Sequence, residues 1–239
     1  MNAEVRCERG DRPAVVCVHG AGGGGWEWGI WARVLGVRGF EVLAPDLAAA
    51  EAGLAATRLS DYRRQVLGWC AAAAPRPVLV GASLGGLLAL AAAREAAARA
   101  LVLVNPLPPR GLGAAARPCA AVVPWGSRRS LAGTRRTMPG ADDAARLYAF
   151  RRWRDESGAV LDEACGGIAA DAPPCAALVV AGERDDDVPA SSSRRLAAEL
   201  EADFELVAGA GHVDPLLGRV AARTAERVAD WLLGRARTV

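Results

Sequence analysis

The chain has 239 residues, of which 52% are hydrophobic and 5% aromatic, enough apolar material for one large domain. Its 29 cationic and 27 anionic side chains leave a net charge of +2, which argues against a nucleic acid or a membrane surface as partner. The chain contains no lysine, so Schiff-base chemistry and a P-loop are excluded. Two histidines, with six cysteines that form no Cys-x-x-Cys pair, predict no metal site.

The first nine residues are charged and lack the apolar core of a signal peptide. Cysteines without a paired spacing are typical of packed, reduced thiols. We therefore expect a cytoplasmic protein.

Short apolar runs alternate with helical patterns along most of the chain, which predicts a largely parallel sheet covered by helices on both faces. The first helix is expected over residues 26–39, and Ser60 is the expected N-cap of the next. A third helix is predicted over residues 84–98, and Asp214 with Pro215 marks the start of a last one. The predicted strands cover residues 14–18, 41–44, 77–82, 100–104, 176–181 and 204–208.

Residues 106–174 interrupt this alternation. Prolines lie at both ends of the segment, and arginines and large aromatic side chains are scattered along it. Two helices are predicted inside it, over residues 141–155 and 159–169, because apolar side chains recur there at helical spacing. The first half of the segment has little regular pattern.

Ser83 is the candidate nucleophile. It follows the apolar run at residues 78–80 in the sequence Gly81-Ala82-Ser83-Leu84-Gly85, and an alanine-rich helical stretch comes next. A nucleophilic serine on a strained turn between strand and helix requires neighbours almost without side chains two residues away. Gly81 and Gly85 meet that requirement.

A serine nucleophile needs a histidine base and an acid that orients the histidine. His212 follows the last predicted strand, whereas His19 ends the first one and is better explained as a structural side chain. The acid is expected after the strand at 176–181, where Asp185, Asp186 and Asp187 are adjacent. Asp185 is favoured, because it is the first carboxylate at the right distance from the strand end.

The order Ser83, Asp185, His212 resembles the α/β-hydrolase superfamily. The resemblance implies an α/β-hydrolase fold with a core at residues 1–105 and 175–239 and an inserted cap at 106–174. It also implies that the backbone N–H groups of Ala21 and Leu84 form an oxyanion hole. The segments that carry the resemblance are residues 19–21, 81–86, 182–189 and 211–212.

The opening segment, residues 19–28, is similar to the plant methylesterase and hydroxynitrile lyase branch of that superfamily. The same segment contains Gly-x-Gly-x-x-Gly and is followed by Asp46, a pattern typical of a dinucleotide site. However, Trp26 and Trp28 are too bulky for the close contact between helix and sheet that such a site requires. An oxyanion-binding loop is the better explanation.

Large aromatic side chains are candidate substrate contacts, and the alternative is that some of them only pack in the core. The arginines of residues 106–174 also have two explanations, a solvated surface or a site for an anionic substrate group. The candidate aromatic contacts are Trp26, Trp125, Tyr148, Phe150 and Trp153.

The sequence thus predicts a serine hydrolase that cleaves a carboxylic ester or thioester of a small to medium, mostly apolar substrate, with no cofactor. A lyase or a cofactor-free oxidoreductase on the same fold is an alternative. The cyanohydrin lyases of the similar branch use a lysine, and its absence here counts against that version. The other alternative is a ligand-binding receptor that uses the hydrolase pocket.

Overall fold

The computed structural model describes residues 13–73, 75–112, 118–168 and 172–236. Its main feature is a sheet of six parallel strands, in the spatial order Glu41–Leu43, Ala14–Val18, Val78–Ala82, Ala100–Val104, Ala176–Gly182 and Asp203–Val207. The predicted strands are confirmed, with ends that differ by one residue at most. The six strands are β1 (Ala14–Val18), β2 (Glu41–Leu43), β3 (Val78–Ala82), β4 (Ala100–Val104), β7 (Ala176–Gly182) and β8 (Asp203–Val207).

The central strands β1, β3 and β4 are buried along their whole length, which explains why their sequences are continuous apolar runs. The edge strands β2 and β8 contain exposed residues. Helices cover both faces of the sheet, as predicted. They are α1 (Gly29–Val37), α2 (Leu59–Ala73), α3 (Leu84–Ala92), α7 (Ala190–Glu199), α8 (Asp214–Leu217) and α9 (Ala221–Ala236).

The two faces of the sheet carry separate hydrophobic cores. On one face α1 and α9 pack against alternate residues of the strands, with Trp31 and Val228 fully buried. On the other face α2, α3 and α7 pack against the intervening residues, with Val66 and Leu88 fully buried. This arrangement leaves the carboxyl ends of the strands for the functional loops.

Four predicted helices that cover the sheet differ from the structure in their ends. Helix α2 begins at Leu59, so Ser60 lies inside the helix and the prediction that it is the N-cap is wrong. The first begins as a 3₁₀ turn at Gly25–Trp28 before α1 starts, and α3 ends at Ala92 instead of residue 98. The last is broken into α8 and α9, because the N–H of Gly218 bonds to the carbonyl of Asp214 while the backbone of Gly218 becomes extended. A side chain at Gly218 would also meet the Asp214 carboxylate, at 2.6 Å.

The segment between β4 and β7 contains three helices and a two-stranded antiparallel ribbon in its described part. The helix predicted over 141–155 is shorter, because Asp142 caps its start and the chain leaves the helix after Phe150 to form the ribbon. The helix predicted over 159–169 ends at Cys165, and its last predicted residue lies outside the described residues. The elements are β5 (Val122–Val123), α4 (Leu131–Thr137), α5 (Asp143–Phe150), β6 (Glu156–Ser157) and α6 (Gly158–Cys165).

Sequence patterns did not reveal α4 or the ribbon, because strands of two residues have no measurable periodicity. Among the described residues, no helix combines the length and the apolar character that a membrane span needs.

Candidate active site

Ser83 lies on the turn between β3 and α3, and its backbone is strained, with φ 52° and ψ −121°. Its flanking glycines cannot carry a side chain. A Cβ atom at Gly81 would lie 2.2 Å from the carbonyl oxygen of Gly85, and one at Gly85 would lie 2.2 Å from that of Val18. The tight turn therefore requires both glycines that the sequence motif contains.

His212 and Asp185 contact each other directly. His212 Nδ1 is 2.7 Å from Asp185 Oδ2, and the Asp185 side chain is fully buried. The other oxygen of Asp185 accepts the backbone N–H groups of Asp187 and Val188, at 2.9 and 2.8 Å. Of the three adjacent aspartates, the structure thus places Asp185 against the imidazole, while Asp186 and Asp187 are exposed.

The surroundings of His212 favour its charged form. Burial by itself lowers the pKa of His212, but the hydrogen bond that its ring donates to Asp185 and the charge of Asp185 raise it, and Asp187 acts in the same direction. The net effect is a pKa above the ordinary value of histidine. An imidazole in this setting can take up a proton and hold it beside a carboxylate.

Asn105 connects the two loops that carry the acid and the histidine. It follows β4 with a positive φ of 44°, a conformation that asparagine tolerates better than most residues. Its side-chain oxygen accepts the N–H of Gly182 at 2.7 Å, and its amide donates to the carbonyl of His212 at 2.7 Å. The sequence analysis missed this residue, and the only signal was an asparagine between a strand and Pro106.

The two predicted oxyanion donors belong to different elements. Ala21 lies in the glycine-rich loop after β1, where it lines the cavity described below, and Leu84 is the first residue of α3. Within the described part of the chain, the backbone N–H of neither residue has an acceptor. The loop approaches the nucleophile closely, since a Cβ atom at Gly20 would lie 3.2 Å from that of Ser83.

The glycine-rich loop is held by the chain that enters β6. The backbone N–H of Arg154 donates to the carbonyl of Gly22 at 2.7 Å, and its guanidinium donates to that of Gly23 at 2.5 Å. The N–H of Gly22 donates to the buried carboxylate of Glu156 at 3.0 Å, which also accepts the hydroxyl of Tyr62 at 2.8 Å. These residues fix the loop next to Ala21, and sequence reasoning missed both Arg154 and Glu156.

His19 has a structural environment, in agreement with its interpretation from the sequence. Its Nε2 accepts the N–H of Leu47 at 2.8 Å, which assigns the ring proton to Nδ1, where it is donated to the carbonyl of Gly20. Burial lowers the pKa of His19 to about 4. The ring is therefore neutral at pH 7 and shapes the loop.

The dinucleotide alternative requires a free carboxylate at Asp46. In the structure Asp46 accepts the N–H of Gly25 at 2.7 Å and lies 3.5 Å from the guanidinium of Arg154. This carboxylate is occupied within the loop network, so the glycines serve the loop itself.

A cavity of about 520 Å³ opens at Ser83 and His212. Of the aromatic side chains predicted to contact substrate, Trp125 and Trp153 line it. The other three candidates, Trp26, Tyr148 and Phe150, are not among the described residues that line the cavity.

The positions of those three side chains correct their prediction as substrate contacts. Tyr148 lies on the outer face of α5, 39% exposed and beneath the guanidinium of Arg152, because Ala149 is the residue that α5 buries. Trp26 packs edge-on between Tyr148 and Trp153, with ring centroids 5.7 and 5.3 Å away. Phe150 is the third of these side chains. Its ring lies under the guanidinium of Arg129, whose central carbon is 5.5 Å from the ring centroid.

Glu27 is a further acidic group in the cavity wall, and no sequence motif predicted it as a site residue. Its side chain is buried, and the N–H of Gly20 approaches it at 3.4 Å. Burial raises the pKa of Glu27 to about 8, against the opposing effects of Gly20, His212 and Arg154. At pH 7 this carboxyl group is therefore protonated.

A metal site in the described residues would have one candidate ligand group, Asp185, Asp187 and His212, whose ligand atoms lie within 4.8 Å of one another. Both oxygens of Asp185 already accept hydrogen bonds from the protein. The group is better suited to orient the imidazole than to hold an ion.

The fold agrees with the comparison to known families. Residues 15–231 match the alpha/beta hydrolase family, and the chain belongs to it. The predicted fold class and family are thereby confirmed.

A probable esterase, PIR7A, from Oryza sativa subsp. indica is 44% identical over 105 residues, and the match covers 40% of each chain. The chain thus spans two fifths of the length of this curated relative.

Solved structures share the fold at low sequence identity. The pyrethroid hydrolase PytH superposes with a TM-score of 0.72 at 20% identity, over 94% of this chain and 99% of that one. Polyneuridine aldehyde esterase gives a TM-score of 0.68 at 17% identity, over 92% and 100% of the two chains. Tomato methylketone synthase I, in complex with 2-tridecanone, gives 0.72 at 16% identity, over 95% and 98%.

Proposed function

We propose that the protein is a serine hydrolase that cleaves a carboxylic ester or thioester through an acyl-enzyme. The observation that carries this proposal is a strained Ser83 that shares a cavity with His212, whose Nδ1 lies 2.7 Å from Asp185. Family membership and the similarity to a probable esterase support the same reaction class.

In this mechanism the Ser83 hydroxyl attacks the carbonyl carbon of the ester, and Nε2 of His212 takes up the hydroxyl proton. Asp185 holds the Nδ1–H and stabilises the imidazolium that forms. His212 then returns the proton to the leaving alcohol or thiol, and water attacks the acyl-enzyme by the reverse route. No cofactor takes part in either step.

The oxyanion of each tetrahedral intermediate is stabilised by the backbone N–H groups of Ala21 and Leu84. The support for this assignment is that both groups lack an acceptor in the described part of the chain. The N-terminal end of α3 adds its positive dipole at the same place. Trp125, Trp153 and other apolar side chains line the cavity, which suits a small to medium apolar substrate.

Labelling with a fluorophosphonate probe, together with turnover of nitrophenyl esters and acyl thioesters, tests the proposal. Ser83→Ala and His212→Ala are each expected to abolish nearly all activity, and combining them should add little, because the residues act as a unit. Undiminished turnover in Ser83→Ala would exclude the mechanism. A receptor would bind ligands without labelling, and a lyase would label without ester turnover.

The acid is tested separately by two matched variants. Asp185→Asn is expected to lower turnover by several orders of magnitude, because the amide no longer stabilises the imidazolium, whereas Asp187→Asn should stay near wild type. The raised pKa of His212 also predicts that kcat/KM increases with pH through a value above about 6.5. The opposite order of the two variants would assign the role to Asp187.

A further inference from the structure

Helix α4 and the residues before it form one wall of the cavity, and this wall is strongly basic. Arg128, Arg129 and Arg136 all line the cavity and are exposed at its mouth. Residues 118–141 contain one more arginine, Arg135, and no aspartate or glutamate. We call the three lining residues the arginine rim.

The arginine rim differs from neighbouring arginines in its ionic partners. Arg135 lies 3.7 Å from Asp143, and Arg146 lies 3.2 Å from the same carboxylate. Within the described parts of the chain, no acidic group or carbonyl reaches the guanidinium of Arg128 or Arg136. A guanidinium has five N–H donors in a fixed fork that matches a carboxylate or phosphate, so these two are available to a ligand.

The third rim residue is held in place by the protein. The guanidinium of Arg129 donates to the carbonyl of Gly126 at 3.0 Å and lies over the ring of Phe150. These contacts neutralise none of its charge, so it adds to the positive potential at the mouth.

Two acidic side chains also line the cavity, Glu27 and Asp187. Asp187 lines the cavity beside His212, and an oxygen of its carboxylate lies within 4.8 Å of a ring nitrogen of His212. Glu27, the remaining acid of the lining, is protonated at pH 7. Much of the remaining wall is apolar, with Leu107, Leu161 and Leu216.

We propose that the arginine rim binds an anionic group of the substrate. The inference rests on the proposed function and narrows its substrate class to esters or thioesters with an apolar body and a negatively charged end. Charge orients such a molecule, because the exposed guanidinium groups of the rim attract its anionic group. Ser83 lines the same cavity as the rim, so a molecule bound there has its ester group within the compartment of the nucleophile.

The test compares two esters of equal length. 4-Nitrophenyl hexanoate is neutral, and the 4-nitrophenyl monoester of adipic acid carries a carboxylate at the far end of the same chain. The wild type is expected to prefer the anionic ester in kcat/KM, and the preference should shrink as sodium chloride rises from about 50 mM to about 500 mM. An acyl-coenzyme A thioester, with its phosphates on the leaving group, distinguishes an anion on that side from one on the acyl side.

Variants assign the preference to the rim. The double variant Arg128→Ala with Arg136→Ala is expected to reduce the ratio of kcat/KM for the anionic over the neutral ester by at least about tenfold, mainly through KM. Arg135→Gln is the control. Arg135 lies next to Arg136 on helix α4, but it pairs with Asp143 and does not belong to the rim. This variant should keep the wild-type ratio.

Three results would overturn the inference: no preference for either anionic substrate in the wild type, an unchanged ratio in the double variant, or an equal loss in Arg135→Gln. Failure of the proposed function has a different signature, since neither ester is then cleaved and Ser83 is not labelled by a fluorophosphonate. In that case calorimetric binding of adipate and hexanoate to Ser83→Ala decides the matter. Equal affinity for the two acids contradicts a rim site, and stronger binding of adipate that the double variant loses supports it.

Discussion

Replacing Glu27 by glutamine should stabilise the protein, and the gain should depend on pH. Burial raises the pKa of this carboxyl group from 4.5 to about 8 in the folded state. Between these two values the folded chain holds a proton that the unfolded chain has released, so the stability of the wild type falls as pH rises through this window. Glutamine is nearly isosteric, keeps an oxygen for the N–H of Gly20 and does not ionise.

The size of the effect follows from the shift. At pH 7 the difference in protonation corresponds to about 3 kcal/mol of unfolding free energy, and at pH 5 to about 1 kcal/mol. For a chain of this size, about 3 kcal/mol raises Tm by roughly 6–12 °C. His212, Arg154 and Asp46 also act on the Glu27 carboxyl, but less than burial does.

Thermal unfolding of the wild type and Glu27→Gln, followed by circular dichroism between pH 5 and pH 8, checks this reasoning. Exposed Glu51 supplies the control, since Glu51→Gln should shift Tm little at any pH. A Tm gain for Glu27→Gln that is absent, or that is the same at both ends of the pH range, would show that Glu27 is ionised or solvated in the folded protein.

Three further predictions follow from residues that connect the site to the fold. Asn105→Ala should lower stability by about 1–3 kcal/mol and reduce kcat, because buried backbone groups of the acid and histidine loops lose their partner; denaturant unfolding and ester kinetics measure both. Glu156→Gln should lower kcat more than it raises KM, because it loosens the oxyanion loop. Tyr62→Phe removes another donor to the same carboxylate and should keep kcat. Equal losses of kcat in the two variants would contradict a positioning role for Glu156. Trp125→Ala should change the preference among acyl chain lengths and Tyr148→Ala should leave it unaltered, and a panel of nitrophenyl esters would expose the reverse.

The sequence by itself determined the sheet, its helical layers and the position of the nucleophile motif. Each of these has a local physical signal. A buried parallel strand requires an unbroken apolar run, and the strained turn at Ser83 requires Gly81 and Gly85 at fixed distances. His212 was selected because histidines are rare in this chain, so that one residue alone had the right place in the order.

Only the tertiary structure decided which groups meet. The choice of Asp185 over its neighbours depends on a loop that buries one carboxylate and exposes the others. Asn105 and Glu156 act through partners 77 to 134 residues away in the chain, and no local pattern reports such hydrogen bonds.

The same reason explains the aromatic side chains and the arginines of the inserted segment. Composition showed that both are plentiful there, but helix faces and irregular turns decide that Trp125 borders the cavity and Tyr148 does not. Likewise, pairing with Asp143 separates Arg135 from Arg136, one residue further along the same helix. Local sequence fixes which chemical groups are present, whereas long-range packing fixes which of them face the substrate.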